Sequence, residues 1–279
     1  SRLLPDAVQL VADLKGGKKP RVTKDFREVI DDKTIDALVV GTPDHWHALP
    51  AILACQAGKD VYVEKPDAHN IREGRLMAKA AKKYNRIVQV GIQSRSSPHH
   101  AEAYAYIRGG KLGRVAYVKA WESTRQGSLG FPPDEPVPPG VDYDTWLGAA
   151  PERPFNRLRF HGNWRWFFDY GTGDLGNDGV HRLDYAIRGL NAGREAQGLE
   201  PVSFPLAVAA SGGKYVFDDA QEWPDTYCVT YDYPGATLVY EMRVWCGYPH
   251  EDESEGAVIY GERGYVVIGN GRWRAFGPD

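Results

Sequence analysis

The sequence has little cysteine and no long apolar run, and both shortages narrow the classes to which the protein can belong. The three cysteines, Cys55, Cys228 and Cys246, cannot all pair and have no CxxC spacing, so neither a disulfide scaffold nor a zinc ribbon is supported. No apolar run approaches the ~20 residues that a membrane-spanning helix needs. A net charge of -3 leaves no basic surplus, so we expect neither nucleic acid nor a membrane as a partner.

The rest of the composition is ordinary for a globular protein with one large or two moderate domains. Of its 279 residues, 42% are hydrophobic and 25% are charged, which is enough for a substantial core. The sequence begins without a methionine or a signal peptide. An upstream export signal is therefore compatible with it, and the choice between cytoplasmic and exported stays open.

The first part of the sequence predicts a parallel sheet with crossover helices. Two short helices are expected at 6–15 and 25–30. The predicted strands after them are 35–40, 61–63 and 87–92, and the helices that alternate with them are 45–58, 71–84 and 98–108. In such sheets ligands lie beyond the carboxyl ends of the strands, where the connecting turns gather.

From Val115 onward the strand-like runs lengthen and lose their alternating helices, which predicts a mainly antiparallel second sheet. These runs are 115–121, 206–210, 227–233, 237–244, 258–260 and 265–268. One helix is predicted at 174–190, and the proline-rich stretch 125–160 is predicted to be irregular. The predicted fold class is α/β followed by α+β, with one domain at 1–112 and another at 113–279.

Two motifs carry most of the chemical information. Lys65 lies in Glu64-Lys65-Pro66, at the end of a predicted strand, and His181 lies on the first turns of the 174–190 helix. A lysine and a histidine over one pocket suit proton transfer to or from an alcohol or carbonyl. A surface Glu-Lys ion pair is the simpler reading of the first motif, and a histidine satisfied by Asp184 is the simpler reading of the second.

Three other patterns allow a structural interpretation as well as a functional one. Thr42-Pro43-Asp44 is a good helix start that also faces the strand ends, with Thr42 as the expected N-cap. His45 and His47 cannot share a helix face, so we predict no metal site. The aromatic residues of the run 164–170 suit a sugar ring, although a core position is the commoner role for such a run.

The stretch 171–176 matches the G-x-G-x-x-G dinucleotide fingerprint literally, and a strand is predicted before it at 164–168. Asp174 would place a carboxylate beside the pyrophosphate, and no return strand follows promptly. We therefore interpret this match as false.

The sequence resembles the glucose–fructose oxidoreductase and inositol dehydrogenase family, called Gfo/Idh/MocA. The likeness is carried by Gly41-Thr42-Pro43-Asp44-His45-Trp46-His47, by Glu64-Lys65-Pro66, and by the segment from Gly171 to Asp184. The resemblance implies a Rossmann domain for NAD or NADP, then an open-faced sheet domain that supplies the substrate pocket and subunit interface. We therefore expect a homo-oligomer, and a partial Rossmann sheet within this chain.

The resemblance also implies roles for individual residues. Lys65 and His181 correspond to the catalytic pair. The positions expected near the nicotinamide are Thr42, Pro43, His45, Glu64, Lys65 and Gln93. We also expect the sugar to contact Asn177, Asp184 and the stretch 156–166, notably Arg157, Arg159, His161 and Trp164.

Two departures from the family pattern stand out. Asn177 occupies the position of the usual aspartate four residues before the histidine. Either His181 acts as base without that carboxylate, or Asp174, Asp178 or Asp184 substitutes for it. The first strand, the glycine-rich phosphate loop and the acidic residue for the ribose are expected before Ser1, and a last helix is expected after Asp279.

The resulting hypothesis is hydride transfer between a nicotinamide and a secondary alcohol of a sugar or polyol. The alternatives are an NAD-dependent glycosidase that oxidises its sugar transiently, and a non-catalytic family member.

Overall fold

The computed structural model describes residues 4–277, which form two β-sheets joined by helices. The first sheet is parallel and has the strand order β1-β2-β3. Its strands are Ala37–Val40 (β1), Asp60–Glu64 (β2) and Val88–Gly91 (β3). Helices Leu4–Leu14 (α1) and Phe26–Asp31 (α2) precede it, and Ala48–Gln56 (α3) and Ile71–Lys83 (α4) are its crossovers. The predicted parallel sheet is therefore confirmed.

Burial explains why these short runs form strands. Val40, Val61 and Val63 lie in a core cluster with Ala51 and Ala54 of α3, so the strands face the crossover helices. The alternate positions point away from these helices, so Val39 of β1 is 72% exposed.

The second sheet has seven strands in the order β10-β9-β8-β4-β7-β6-β5. Its strands are Val115–Glu122 (β4), Ala207–Gly213 (β5), Thr226–Tyr233 (β6), Ala236–Arg243 (β7), Glu255–Gly261 (β8), Gly264–Ile268 (β9) and Trp273–Phe276 (β10). Only the β4–β7 pair is parallel, and the other neighbours are antiparallel. The mainly antiparallel second sheet is confirmed. The short strand β10 at one edge of this sheet was not predicted.

Three further helices belong to this part of the fold: Pro98–Arg108 (α5), Tyr143–Leu147 (α6) and Val180–Ala196 (α7). Helix α7 packs on β4 and β8, and α5 packs on α7. The largest core cluster lies between this helical layer and the sheet. Between Leu4 and Gly277, no helix combines the length and apolarity that crossing a membrane requires.

Two glycines let α7 approach the sheet closely. A Cβ at Gly189 would lie 2.4 Å from Ile259, and one at Gly193 would lie 2.6 Å from Val115. The two positions are four residues apart, so they share one helix face. Since α7 carries His181, this close packing also fixes the position of the candidate site.

Three local predictions were wrong. No helix begins at Thr42: a 3-10 turn covers Asp44–Trp46 and α3 begins at Ala48. The stretch 164–168 is not a strand, because its aromatic side chains turn into the core from a 3-10 turn over Asn163–Trp166. The stretch 125–160 includes the short helix α6, which Asp142 caps by accepting from the backbone N–H of Thr145.

We predict that Gly193→Ala lowers the free energy of unfolding by about 1–3 kcal/mol, because overpacking against Val115 outweighs the helix propensity that alanine adds. Urea unfolding measures this change. Gly127→Ala is the control, since a Cβ at that position meets nothing within 4 Å. Equal stability of the two variants would contradict the close packing of α7.

Candidate active site

The turns after the three parallel strands lie at one edge of the first sheet, and a histidine joins two of them. His47 is almost fully buried in the turn after β1. Its Nε2 lies 2.7 Å from the carbonyl oxygen of Thr42, and its Nδ1 lies 2.5 Å from that of Pro66. The imidazole thus fixes the turn after β1 against the turn that carries Lys65.

Lys65 extends from the end of β2 to the second part of the chain. Its Nζ donates to the backbone carbonyl of Asn177 at 2.5 Å and lies 3.3 Å from the Asn177 Oδ1. Asp178 provides the nearest carboxylate oxygen, at 3.9 Å. A largely buried lysine needs such partners. The ammonium is therefore held by the segment that precedes α7 and is not part of a surface pair with Glu64.

The segment before α7 is a π-helical turn, Leu175–Gly179. Such turns place an extra residue in a helix and occur often at functional sites. This turn presents Asn177 and Asp178 towards Lys65, and α7 begins immediately after it with His181 in its first turn.

His181 is nearly buried, and its Nδ1 has no hydrogen-bond partner among residues 4–277. Burial lowers the pKa of its imidazole, and the nearby charge of Lys65 lowers it further. His181 is therefore unprotonated at neutral pH, which is the form that accepts a proton.

The amide of Asn177 lies between two cations and two carboxylates. Its Oδ1 accepts from Arg165 Nε at 2.7 Å and lies 3.3 Å from the Lys65 ammonium. Its Nδ2 donates to Asp178 at 2.9 Å and lies 3.5 Å from Asp174 Oδ1. An amide has both donors and acceptors, so one side chain can satisfy both sets of charges.

Arg165 lies in the stretch 156–166 that was expected to contact the sugar, but the sequence did not single it out. Its guanidinium lies over the ring of Trp164, 4.3 Å from the ring centre. Its contact with Asn177 is made twelve residues further along the chain. No local pattern predicts such a contact.

Two buried acidic side chains near Asn177 and Asp178 have raised pKa values. Burial raises the pKa of Asp174 to about 7, with the charge of Asp178 as the next cause. Burial also raises the pKa of Glu122 to about 9. Arg182 of α7 lies beneath them, with its Nε 3.5 Å from Glu122, and it also pairs with Glu255. The candidate site thus lies over a buried acidic and basic layer.

The carboxylate oxygens of Glu122, Asp174 and Asp178 lie within 4.8 Å of one another, a spacing at which three oxygens can share a cation. Arg182 already supplies a positive charge to Glu122, and the raised pKa values favour protonated acids. The expectation that the site has no metal stays a prediction.

The residues expected near the nicotinamide differ in their surroundings. Thr42 and Gln93 are exposed at the edge of the parallel sheet, and Pro43 and Glu64 are partly buried there. His45 is buried, with its Nε2 2.9 Å from the Trp146 carbonyl and its ring packed edge-on against Tyr170. Their contact with a cofactor stays a prediction.

The residues expected to contact the sugar do not all share one location. Asn177 is beside Lys65, whereas Asp184 pairs with Arg95. Arg157 and His161 are exposed in the 157–161 turn. Trp164 lies in the core cluster. Arg159 is held by Asp134 at 2.9 Å and by the Pro154 carbonyl.

The core role expected for the aromatic run is confirmed for most of its members. The buried members are Trp164, Trp166, Phe167 and Tyr170. Phe168 is the exception: it is half exposed and packs edge-on against Trp223.

The glycines of the G-x-G-x-x-G match are needed for close packing within the chain. A Cβ at Gly171 would lie 2.6 Å from Arg165, one at Gly173 2.8 Å from Trp223, and one at Gly176 2.0 Å from Thr172. Gly173 also has a φ of +61°. These contacts, and the absence of a strand before the match, support the interpretation of the fingerprint as false.

Comparisons with known proteins agree with this architecture, and both matching family descriptions are of oxidoreductases. "Oxidoreductase family, NAD-binding Rossmann fold" matches residues 7–92, and "Oxidoreductase family, C-terminal alpha/beta domain" matches residues 115–197. The chain therefore belongs to the Gfo/Idh/MocA oxidoreductase family.

Two curated relatives illustrate the likeness in sequence. The chain is 35% identical over 114 residues to levoglucosan dehydrogenase of Pseudarthrobacter phenanthrenivorans, covering 39% of this chain and 29% of the relative. It is 32% identical over 117 residues to scyllo-inositol 2-dehydrogenase (NAD(+)) of Bacillus subtilis, covering 42% of this chain and 31% of the relative. These matches span about a third of each relative.

Two solved structures share the fold. One is the WlbA dehydrogenase of Bordetella pertussis in complex with NADH and UDP-GlcNAcA, with a TM-score of 0.66 and 22% identity over 99% of this chain and 68% of that one. The other is levoglucosan dehydrogenase in complex with NADH and levoglucosan, with a TM-score of 0.65 and 23% identity over 95% of this chain and 62% of that one.

We predict a pH-dependent stability difference between the protein and its Glu122→Gln variant. The raised pKa means that folded Glu122 keeps a proton that the unfolded chain releases above its ordinary pKa of 4.5. This group's stabilising contribution is present below pH 4.5 and is lost as the pH rises towards about 9. Glutamine does not titrate, so the variant's relative stability should increase over that interval in urea unfolding.

Glu262→Gln is the control for the Glu122 measurement, since Glu262 is an exposed partner of Arg114. Parallel stability–pH curves for the protein and the Glu122 variant would show that the carboxyl titrates normally.

Proposed function

We propose that the protein is an NAD(P)-dependent dehydrogenase that moves a hydride between a nicotinamide and a secondary alcohol of a sugar or polyol. The observation that carries this proposal is the Lys65 ammonium held at the turn before α7, close enough to His181 to lower its pKa. Lys65 follows a strand of the parallel sheet, and His181 begins a helix that packs on the second sheet. The ends of parallel strands are where ligands of such sheets bind.

His181 is the proposed proton acceptor for the substrate hydroxyl. Its lowered pKa keeps the imidazole unprotonated at neutral pH, and burial fixes its ring on the first turn of α7. General-base catalysis by a positioned imidazole typically contributes about 10²–10⁴-fold.

Lys65 is proposed to hold and polarise the same hydroxyl oxygen. Its ammonium has three donors, and Asn177 takes one of them through its backbone carbonyl. Asp178 balances part of the charge from 3.9 Å without a close ion pair. The remaining donors are directed by these fixed partners, so the group can stabilise negative charge that develops on the substrate oxygen.

The exposed residues at the edge of the parallel sheet fit a nicotinamide. Thr42 and Gln93 follow β1 and β3, on either side of the turn that carries Lys65. When bound, the nicotinamide supplies the hydride chemistry, and the chain's own groups orient the alcohol and move its proton. The choice between NAD and NADP is not part of the proposal.

The names of the relatives support a sugar or polyol substrate, since levoglucosan and scyllo-inositol belong to those classes. A homo-oligomer remains part of the proposal. The sheet face away from α7 supports it with half-exposed aromatic side chains such as Tyr117 and Phe276.

The direct test is NADH or NADPH formation by the full-length protein with a panel of sugars and polyols, followed at the nicotinamide absorbance band. Accumulation of reduced cofactor with an oxidised sugar supports the proposal. Cleavage of a glycoside without net reduced cofactor would instead assign transient oxidation. Cofactor binding with no change in any substrate would contradict both.

We predict that Lys65→Met leaves NAD binding largely intact and lowers turnover by roughly tenfold or more, because the substrate oxygen loses its fixed cation. Steady-state kinetics and cofactor titration separate the two effects. Lys79→Met, which changes an exposed lysine of α4, is the matched control. Unchanged turnover in the Lys65 variant would remove this lysine from the mechanism.

We predict that the acid limb of kcat/KM for alcohol oxidation lies below pH 6.5, since burial and Lys65 both lower the pKa of His181. Activity should be present above that limb and fall as the imidazole is protonated. His181→Asn should abolish the limb and reduce turnover by about 10²–10⁴-fold. A limb that persists in the variant would belong to another group.

A further inference from the structure

Arg165 places a second cation beside Lys65, and this cation has no carboxylate partner. Its Nε donates to Asn177 Oδ1 at 2.7 Å, and its Nη1 donates to the Gly162 carbonyl at 3.1 Å. Both acceptors are neutral. Among residues 4–277, Arg165 forms no salt bridge, although it is only partly exposed.

Nearby arginines differ from Arg165 in this respect. Arg95 pairs with Asp184, Arg159 with Asp134 at 2.9 Å, and Arg153 with Asp169 at 2.9 Å. A guanidinium at a partly buried position normally has such a partner, because removing its charge from water is costly. Of the three partly buried arginines at 153, 159 and 165, Arg165 alone lacks a carboxylate partner among residues 4–277.

The free edge of Arg165 is accessible. Its Nη2 donates to no residue between Leu4 and Gly277. This nitrogen is not fully buried, so it is open to solvent. Stacking on Trp164 and the two hydrogen bonds fix the plane of the guanidinium. A fixed planar fork with an open edge is suited to carboxylate or phosphate oxygens.

The neighbouring carboxylates do not neutralise this edge. Asp178 accepts from Asn177 and lies 3.9 Å from Lys65. Asp44 is buried and accepts from Thr172 at 2.9 Å, and its burial outweighs the influence of the Arg165 charge on its pKa. Each acid is thus engaged elsewhere.

We propose that Arg165 is a specificity residue that binds an anionic group of the substrate, so that the preferred substrate is a sugar or polyol bearing a carboxylate or a phosphate ester. This inference rests on the proposed function for its substrate class. Lys65 and Arg165 contact the same oxygen atom of Asn177, so the anionic group and the reacting hydroxyl lie on one small molecule.

The test measures equilibrium binding and turnover for matched sugars with the full-length protein and its nicotinamide cofactor. D-glucose and D-galactose are the neutral members, D-glucuronate and D-galacturonate carry a carboxylate, and D-glucose 6-phosphate carries a phosphate ester. At least one anionic sugar should bind roughly tenfold or more tightly than its neutral counterpart. The carboxylate and phosphate arms identify which anion is recognised.

Three variants assign the preference to the guanidinium. Arg165→Gln should weaken binding of the anionic sugar by about tenfold to a hundredfold, and Arg165→Lys should weaken it less because the charge remains without the planar fork. Arg75→Gln removes the same charge from an exposed position on α4 and should leave binding unchanged.

The outcomes separate this inference from the proposed function. Equal binding of neutral and anionic sugars, no binding of any of them, or an unchanged Arg165→Gln variant would overturn the inference. Oxidation of neutral sugars alone would overturn it while leaving the dehydrogenase intact. Arg165-dependent binding of an anionic sugar without any oxidation would support the inference and remove the proposed function.

Discussion

One ammonium group connects the two sheets of this protein at the candidate site. Lys65 belongs to the turn after β2, and its main partner is the backbone carbonyl of Asn177, immediately before α7. A backbone acceptor cannot be lost by a side-chain rearrangement, so the position of the lysine depends on the path of the π-helical turn. The proposed chemistry requires this contact, because it brings the end of a parallel strand to the start of the histidine's helix.

The position of the π-helical turn depends on packing elsewhere in the fold. Gly189 and Gly193 let α7 lie directly on the second sheet, and Gly176 lets the π-helical turn pass close to Thr172. On the other side, His47 holds the Lys65 turn through the Pro66 carbonyl. Close contacts of this kind leave little freedom, and a fixed arrangement of a base and a cation is what proton transfer needs.

The sequence predicted the parts of this arrangement that depend on local pattern. Apolar runs located the strands, and Lys65 and His181 stood out because of their places at the end of a strand and the start of a helix. The sequence did not predict the 3-10 turn at 163–166, because an aromatic run has the composition of a strand and only the core determines its path. It included Arg165 in the stretch 156–166 without singling it out, because the partner of Arg165 is distant along the chain.

The amide at position 177 is consistent with an intact site. An aspartate there would accept from Lys65 and Arg165, but it would place another negative charge beside Asp178 and beside Asp174, whose pKa burial already raises to about 7. Asparagine offers its oxygen to the cations and its nitrogen to the carboxylates, which removes that repulsion. Asp174 and Asp178 lie beside Asn177 and could supply the carboxylate that position 177 lacks. Of the two, Asp178 is within ion-pair distance of Lys65. This favours a rearranged active site over a non-catalytic family member.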